Sequence, residues 1–349
     1  MTTDRPAFVI TIDTEGDDIW SRPRTVTTKN AGYLPRFQGL CERHGLRPSY
    51  LVNWEMAQCP VFREFGRDVV ARRAGEIGMH LHAWNNPPLV PLSADDDFHH
   101  PFLIEYPVDQ MRDKIAVLTA ELERAFQVKM LSHRAGRFML DETYAQLLAD
   151  AGYRVDCSVT PHVSWTSKPG APGGKGGVDY SQFPEAAYFV DLQHIRQAGD
   201  SSLLEVPVTI VPQRYPAIVE RVRARVRGIS VLRRIMHRLF PPQVWLRPNG
   251  RNRRRLLTLL AGAGRDGRDH VEFMLHSSEL MPGGSPTFRS AAEIEALYGD
   301  LDALFARAGR DCTGVTLSEY HDRFTRAVVG EARMRTMDAD RPVRAGQQR

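Results

Sequence analysis

Short apolar runs alternate with stretches of helical periodicity through the first 160 residues. Residues 7–13 (AFVITID) form an unbroken apolar, β-branched run, the pattern of a strand buried on both faces. Residues 33–44 repeat their apolar positions at helical spacing and stop at Gly45. A second strand is predicted over 48–52, a helix over 61–74 ended by Gly75, and a third strand over 76–82. Residues 109–126 carry the clearest amphipathic helix, with Asp109 as its expected N-cap. A short strand follows over 130–134, a helix over 141–151 capped by Asp141 and closed by Gly152, and a strand over 155–159.

The pattern then loosens. Residues 167–177 (SKPGAPGGKGG) read as a Gly/Pro loop, either a flap over a site or a surface excursion. Strands are predicted over 203–208, 271–276 and 313–317, and helices over 251–263 and 291–308. Such alternation argues for a parallel sheet wrapped by helices, which presents its chemistry at the C-terminal ends of its strands. Residues 1–330 are read as a single catalytic domain with an Arg-rich helical insertion at about 214–255, and 331–349 as a frayed polar tail. No internal repeat is visible.

Composition narrows the picture only a little. The chain has 349 residues, 42% of them apolar, enough for a sizeable core. A net charge of +4 is too weak to argue for nucleic acid, and the basic run carries no nucleic-acid motif. Cys41, Cys59, Cys157 and Cys312 form no C-x-x-C pair, so free thiols in a reducing compartment are expected. With no leader pattern and no apolar run of transmembrane length, the expected location is cytoplasmic, open to contact with a membrane surface.

Polar clusters follow several predicted strands. Asp13 and Glu15 are two apart on an extended chain and point the same way; one could hold a metal while the other accepts a proton. An acid-rich turn is the plainer alternative. His80 and His82 share a strand face, so both imidazoles could reach one ion. His99 and His100 offer a third ligand or, preferably, only surface. Arg134 ends a strand and suits the orientation of a carboxylate, although a structural ion pair would explain it equally. His276 ends a late apolar strand, where it could protonate a leaving amine or sit satisfied in the core. Each is weak singly; together they supply the parts of metal-assisted amide hydrolysis.

On these residues the chain resembles the polysaccharide deacetylases of the NodB-homology superfamily, carbohydrate esterase family 4, over about residues 7–320. Thr11-Ile12-Asp13-Thr14-Glu15 stands where the family has T-F-D-D, and Glu76 to Trp84 matches the lead-in to its histidine pair. Arg134 to Arg137 echoes R-x-P-x, Asp156 and Trp165 echo an Asp near a Trp, and Leu275-His276 matches L-H. The strings HLHAWNNPP, HRAGRF, CSVTPHVSW and LHSSELMPGGSP look like a subfamily associated with bacterial surface polysaccharides. The resemblance implies an irregular (β/α)7-type barrel and removal of an N-acyl group, usually acetyl, from an amino sugar. It implies a divalent ion, zinc above others, on His80, His82 and Glu15. Asp13 is then the general base, Arg134 its orienting partner, His276 the acid, and Asp156 the group that orients His276. Trp84 and Trp165 are candidates for stacking on a sugar. Two departures stand out: Thr14 replaces the family's metal-binding second Asp, and the second histidine is two residues from the first rather than four. A deformylase, a cyclic-amide hydrolase and a dead carbohydrate-binding scaffold are the rival readings.

Residues 214–255 hold thirteen arginines and one acid, Glu220, interleaved with aliphatic residues. This reads as a basic amphipathic helix. Its plain role is a solvated helix packed on the barrel; its sharper role is contact with anionic lipid head groups or a lipid-linked phosphorylated sugar.

Overall fold

The computed structural model describes residues 5–339 apart from 24, 175 and 227. In chain order the elements are β1 (Ala7–Thr14), α1 (Leu34–Arg43), β2 (Pro48–Val52), α2 (Trp54–Gln58), α3 (Pro60–Ala71), β3 (Glu76–Leu81) and α4 (Asp96–His99). Then come α5 (Val108–Phe126), β4 (Ser132–Ala135), α6 (Glu142–Asp150), β5 (Val155–Asp156), β6 (Tyr188–Phe189), β7 (Leu204–Glu205) and β8 (Ile210–Pro212). The chain ends with α7 (Ala217–Arg225), α8 (Ser230–Leu239), β9 (Gln243–Trp245), α9 (Arg253–Ala263), β10 (His270–His276), α10 (Ala291–Asp311), β11 (Thr313–Val315) and α11 (Leu317–Ala339). Residues 340–349, in the predicted tail, lie outside the described residues.

The main sheet runs β10-β1-β2-β3-β4-β5-β7-β6, with β11 also on β1. Its pairs are parallel except β6–β7, so it is the curled parallel sheet of an α/β barrel. Between β7 and β10 the curl is bridged by irregular backbone: Val208 N–H donates to the Val159 carbonyl, Leu246 N–H to Thr209 and Met274 N–H to Leu246. All eight residues of β1 are buried, as expected for a central strand covered on both faces. Helices cover the outside through helical stripes such as Met111, Ile115, Leu118 and Leu122 on α5, or Ile294, Leu297, Leu301 and Phe305 on α10.

Register places the polar strand ends. Asp13 lies opposite His276 on β10, and His80 opposite Arg134 on β4. A one-residue slip of any of these strands would turn its polar end away.

Several boundaries differ from the sequence reading. Helix α5 starts directly after Pro107, so Asp109 lies inside the first turn instead of capping it. Asp141 does cap α6, accepting the Tyr144 N–H at 2.8 Å. The Arg-rich stretch is two short helices, α7 and α8, rather than one, with Gly228 in the break. The strand predicted over 155–159 keeps only Val155–Asp156, and β6, β8 and β9 were too short to register as periodic runs. All four cysteines are buried and unpaired. Among the described residues no helix is long and apolar enough to cross a membrane.

Candidate metal centre

Glu15, His80 and His82 converge at the C-terminal ends of β1 and β3. Their ligand atoms all lie within 4.8 Å of one another, and all three side chains are buried. His80 Nε2 and His82 Nε2 stand 3.4 and 3.5 Å from Glu15 Oε2. Ligands about 2.0–2.1 Å from a tetrahedral ion are separated by about 3.4 Å, so these spacings suit a zinc-sized cation.

Hydrogen bonding supports the same fit. The Nδ1 of His80 lies 3.0 Å from the Arg134 carbonyl; donating there leaves the Nε2 lone pair toward Glu15. Glu15 Oε1 and His82 Nδ1 are buried with no hydrogen-bond partner among the described residues. The unpaired Oε1 leaves this carboxylate with bonding capacity free for a cation, beside the Oε2 that faces the two imidazoles. Burial works against charge on His80, but Asp13 and Glu15 outweigh it and raise its pKa. Burial, His80 and Arg137 push His82 well down, so its ring is neutral and able to ligate.

Local structure holds the set in place. Ser277 Oγ lies 3.2 Å from both the backbone N–H and the carbonyl of Glu15, and Asn30 Nδ2 donates to that same carbonyl at 2.9 Å. A Cβ on Gly136 would come within 2.5 Å of the His82 ring and 2.4 Å of the Leu81 carbonyl, so only glycine lets β4 pass this close. Thr14 turns its hydroxyl back to the Ile12 carbonyl at 2.9 Å and takes no part in the cluster.

Asp13 and Arg134 form a buried pair, Nη1 to Oδ1 2.5 Å. The other arm of Arg134 reaches Thr11 Oγ1 at 2.8 Å and also Glu272. Burial disfavours charge on Asp13, yet Arg134, His80 and His276 hold its carboxyl well below the ordinary range. Burial raises Glu272 to about 7 despite the same arginine. The guanidinium thus keeps Asp13 ionised and aimed while sharing its charge with a second acid.

His276 completes the ring of groups. Its Nε2 lies 3.7 Å from Asp13 Oδ2 and 3.7 Å from Glu15 Oε1. Its Nδ1 faces Glu279 Oε2 at 3.2 Å and Arg247 Nη2 at 3.0 Å. Burial would raise Glu279, but Arg247 and His276 hold it down at about 2. Asp156 does not orient His276. It sits on β5, four strands from β1 and on the far side of it from β10, and is bonded to His133 Nδ1 at 2.5 Å; Glu279 occupies the orienting position instead.

A cavity of about 410 Å³ opens over this cluster, lined by Asp13, Glu15, His80, His82 and His276 at its floor. Trp20 and Trp165 stand in its wall, and Trp20 meets His276 edge-on with ring centroids 4.9 Å apart. Trp84 stacks on His82 at 4.5 Å and lies beneath Arg137, and it is not among the residues that line the cavity. Arg137 and Phe138, also in the wall, both hold left-handed backbone (φ 56 and 67), a strained pair of the kind found at functional sites. His99 and His100 stay out of the cluster; His100 pairs with Asp96 at 3.2 Å.

Trp20, Arg247, Glu272 and Glu279 escaped the sequence reading. Glu272 carried a signal, an acid inside an apolar strand run, and Glu279 sits three residues after His276 where its carboxylate reaches back to the His276 N–H. Trp20 lies in a single 3-10 turn over Ile19–Ser21 and Arg247 in a loop, neither with a local pattern.

By sequence, the chain matches no family model and no curated protein. Solved structures do match. A Mycobacterium smegmatis protein assigned as a polysaccharide deacetylase is 16% identical, covering 92% of this chain and 90% of that one, with TM-score 0.51. A Parabacteroides distasonis protein assigned as a glycoside hydrolase/deacetylase is 9% identical, covering 93% and 72%, with TM-score 0.60. The fold is that of the polysaccharide deacetylases. A 4-alpha-glucanotransferase from Thermococcus litoralis, 12% identical, covers 92% of this chain and 41% of its own length at TM-score 0.51. The polysaccharide deacetylase scaffold thus resembles one that serves glycosyl transfer, and the reaction must be argued from the side chains.

Proposed function

We propose that this chain is a metal-dependent hydrolase that removes an N-acyl group, acetyl first among candidates, from an amino sugar. The observation that carries the reading is the buried, hydrogen-bond-starved Glu15–His80–His82 cluster beside an ionised Asp13 and a cavity-facing His276. Glu15, His80 and His82 would hold the ion. When bound, a divalent ion such as Zn²⁺ would polarise an acyl carbonyl and ease deprotonation of water.

The remaining steps belong to the chain. Asp13, kept charged by Arg134, takes the proton from the attacking water. His276, aimed by Glu279 and Arg247, delivers a proton to the departing amine. Trp20 and Trp165 give the sugar apolar walls.

The test pairs metal analysis of the purified protein with acetate release from N-acetylated amino sugars. Near-stoichiometric metal, lost in His80→Ala and His82→Ala together with acetate release, is the expected result. Formate release from N-formyl sugars, without acetate release, would move the chain to deformylation. Wild type that retains no more metal than the two variants would end the metal reading and leave a binding scaffold.

A further inference from the structure

The Arg-rich hairpin does not pack on the barrel as a solvated helix would. Neither α7 nor α8 contains a buried residue. Instead, Val231, Leu232, Ile235 and Leu239 on α8 and Ile218 and Val222 on α7 are each at least 41% exposed. Positions 231, 232, 235 and 239 fall on one helical face, and Arg234 and Arg238 flank that stripe. Leaving such a stripe of aliphatic side chains in water forfeits their burial.

Charge narrows the partner. Residues 214–255 hold thirteen arginines and one acid in a chain whose net charge is only +4, so the remainder of the chain is net negative. Glu220 is already paired with Arg223. Among the described residues, Arg221, Arg225, Arg233, Arg234 and Arg238 have no ion pair. A second copy would set like charges against each other, and a nucleic-acid backbone would leave the aliphatic stripe without a partner. A bilayer bearing anionic head groups meets both needs, with arginines at the phosphates and aliphatic side chains among the acyl chains.

We infer that the α7–α8 hairpin docks this protein on an anionic membrane surface. The net negative remainder of the chain would be repelled from that surface, which orients the protein hairpin-first. The hairpin also borders the groups that hold His276: a cleft of about 520 Å³ is lined by His237 and Arg238 of α8 and by Arg247 and Glu279. Arg247 lines the catalytic cavity as well. Docking therefore sets the side of the cavity at the head-group layer.

The experiment sediments the full chain with phosphatidylcholine vesicles, with and without phosphatidylglycerol, at low and high salt. Pelleting is expected only with the mixed vesicles, and it should weaken at high salt. An arginine near an anionic surface is worth about fivefold in partitioning, so Arg234→Ala/Arg238→Ala should lower it by roughly twenty-fivefold. Ile235→Ser/Leu239→Ser should lower it by at least tenfold. These positions are exposed, so circular dichroism should be unchanged, and an unaltered spectrum with lost pelleting supports the inference. Equal pelleting with pure phosphatidylcholine, or undiminished pelleting of the Ile235→Ser/Leu239→Ser variant, would overturn it. So would failure of the wild type to pellet. Sedimentation-velocity dimers that Ile235→Ser/Leu239→Ser dissolves would assign the stripe to a second copy instead.

Discussion

Two histidine–acid clusters lie on neighbouring strands, and they are built to opposite ends. At the end of β3, His80 and His82 face Glu15 with buried polar atoms left unpaired and a cavity above them. On β4, His133 is fully satisfied: Nδ1 meets Asp156 at 2.5 Å and Nε2 meets the Tyr144 hydroxyl at 2.8 Å. Its side chain is wholly buried. Spare bonding capacity separates a site from a strut. Both clusters have the residue types of catalysis, but only one keeps bonding capacity in reserve and gives a ligand access to it.

That contrast can be broken by substitution. The largest effect is expected from the open cluster's neighbour: Asp13→Asn should retain metal yet lower turnover between about a hundredfold and ten-thousandfold, as for loss of a general base. Near-normal turnover in a steady-state assay would remove Asp13 from the scheme. Next comes Arg134→Met, which strands Asp13 and Glu272 as buried acids. It should cost about 3–5 kcal/mol in urea unfolding. Adding Asp13→Asn should restore part of that loss, since the acid that Arg134 keeps charged is then neutral.

His133→Phe tests the closed cluster. It leaves Asp156 and Tyr144 without their shared partner and should cost about 1–3 kcal/mol of stability. Metal content measured on the same sample should not change; a loss of metal would erase the distinction drawn between the clusters. The smallest effect concerns pH. Glu279 is held at about 2 against an ordinary 4.5, so the folded state favours its charged form. Its stabilising contribution is full above 4.5 and fades as pH falls toward about 2. The stability gap between wild type and Glu279→Gln should therefore be constant at neutral pH and narrow on acidification. A gap that widened in acid would contradict the ion pair with Arg247.

The same comparison shows how much was legible beforehand. The H-x-H spacing placed His80 and His82 on one face because side chains alternate along a strand. Asp13 and Glu15 followed from the same rule at the end of β1. The sequence offered nothing to separate His133 from them, because satisfaction by Asp156 and Tyr144 depends on β5 and α6 lying alongside. Asp156 was expected beside His276 and is instead bonded across the β4–β5 ladder. Trp84 was expected at the sugar and instead backs a histidine.

Periodicity and turn residues alone determined that strands and helices alternate, that β1 is buried on both faces and that polar groups gather at the strand ends, since these are local consequences of backbone geometry. Tertiary structure alone decided which acid meets which histidine: Glu279 on His276, Asp156 on His133, Glu272 on Arg134. It also decided that the arginine helices stand off the barrel with their aliphatic face uncovered. The reason is physical. Side-chain direction is encoded within a few residues, whereas the partner that satisfies or exposes a group comes from strands and helices distant in sequence, brought there by register and curl of the sheet.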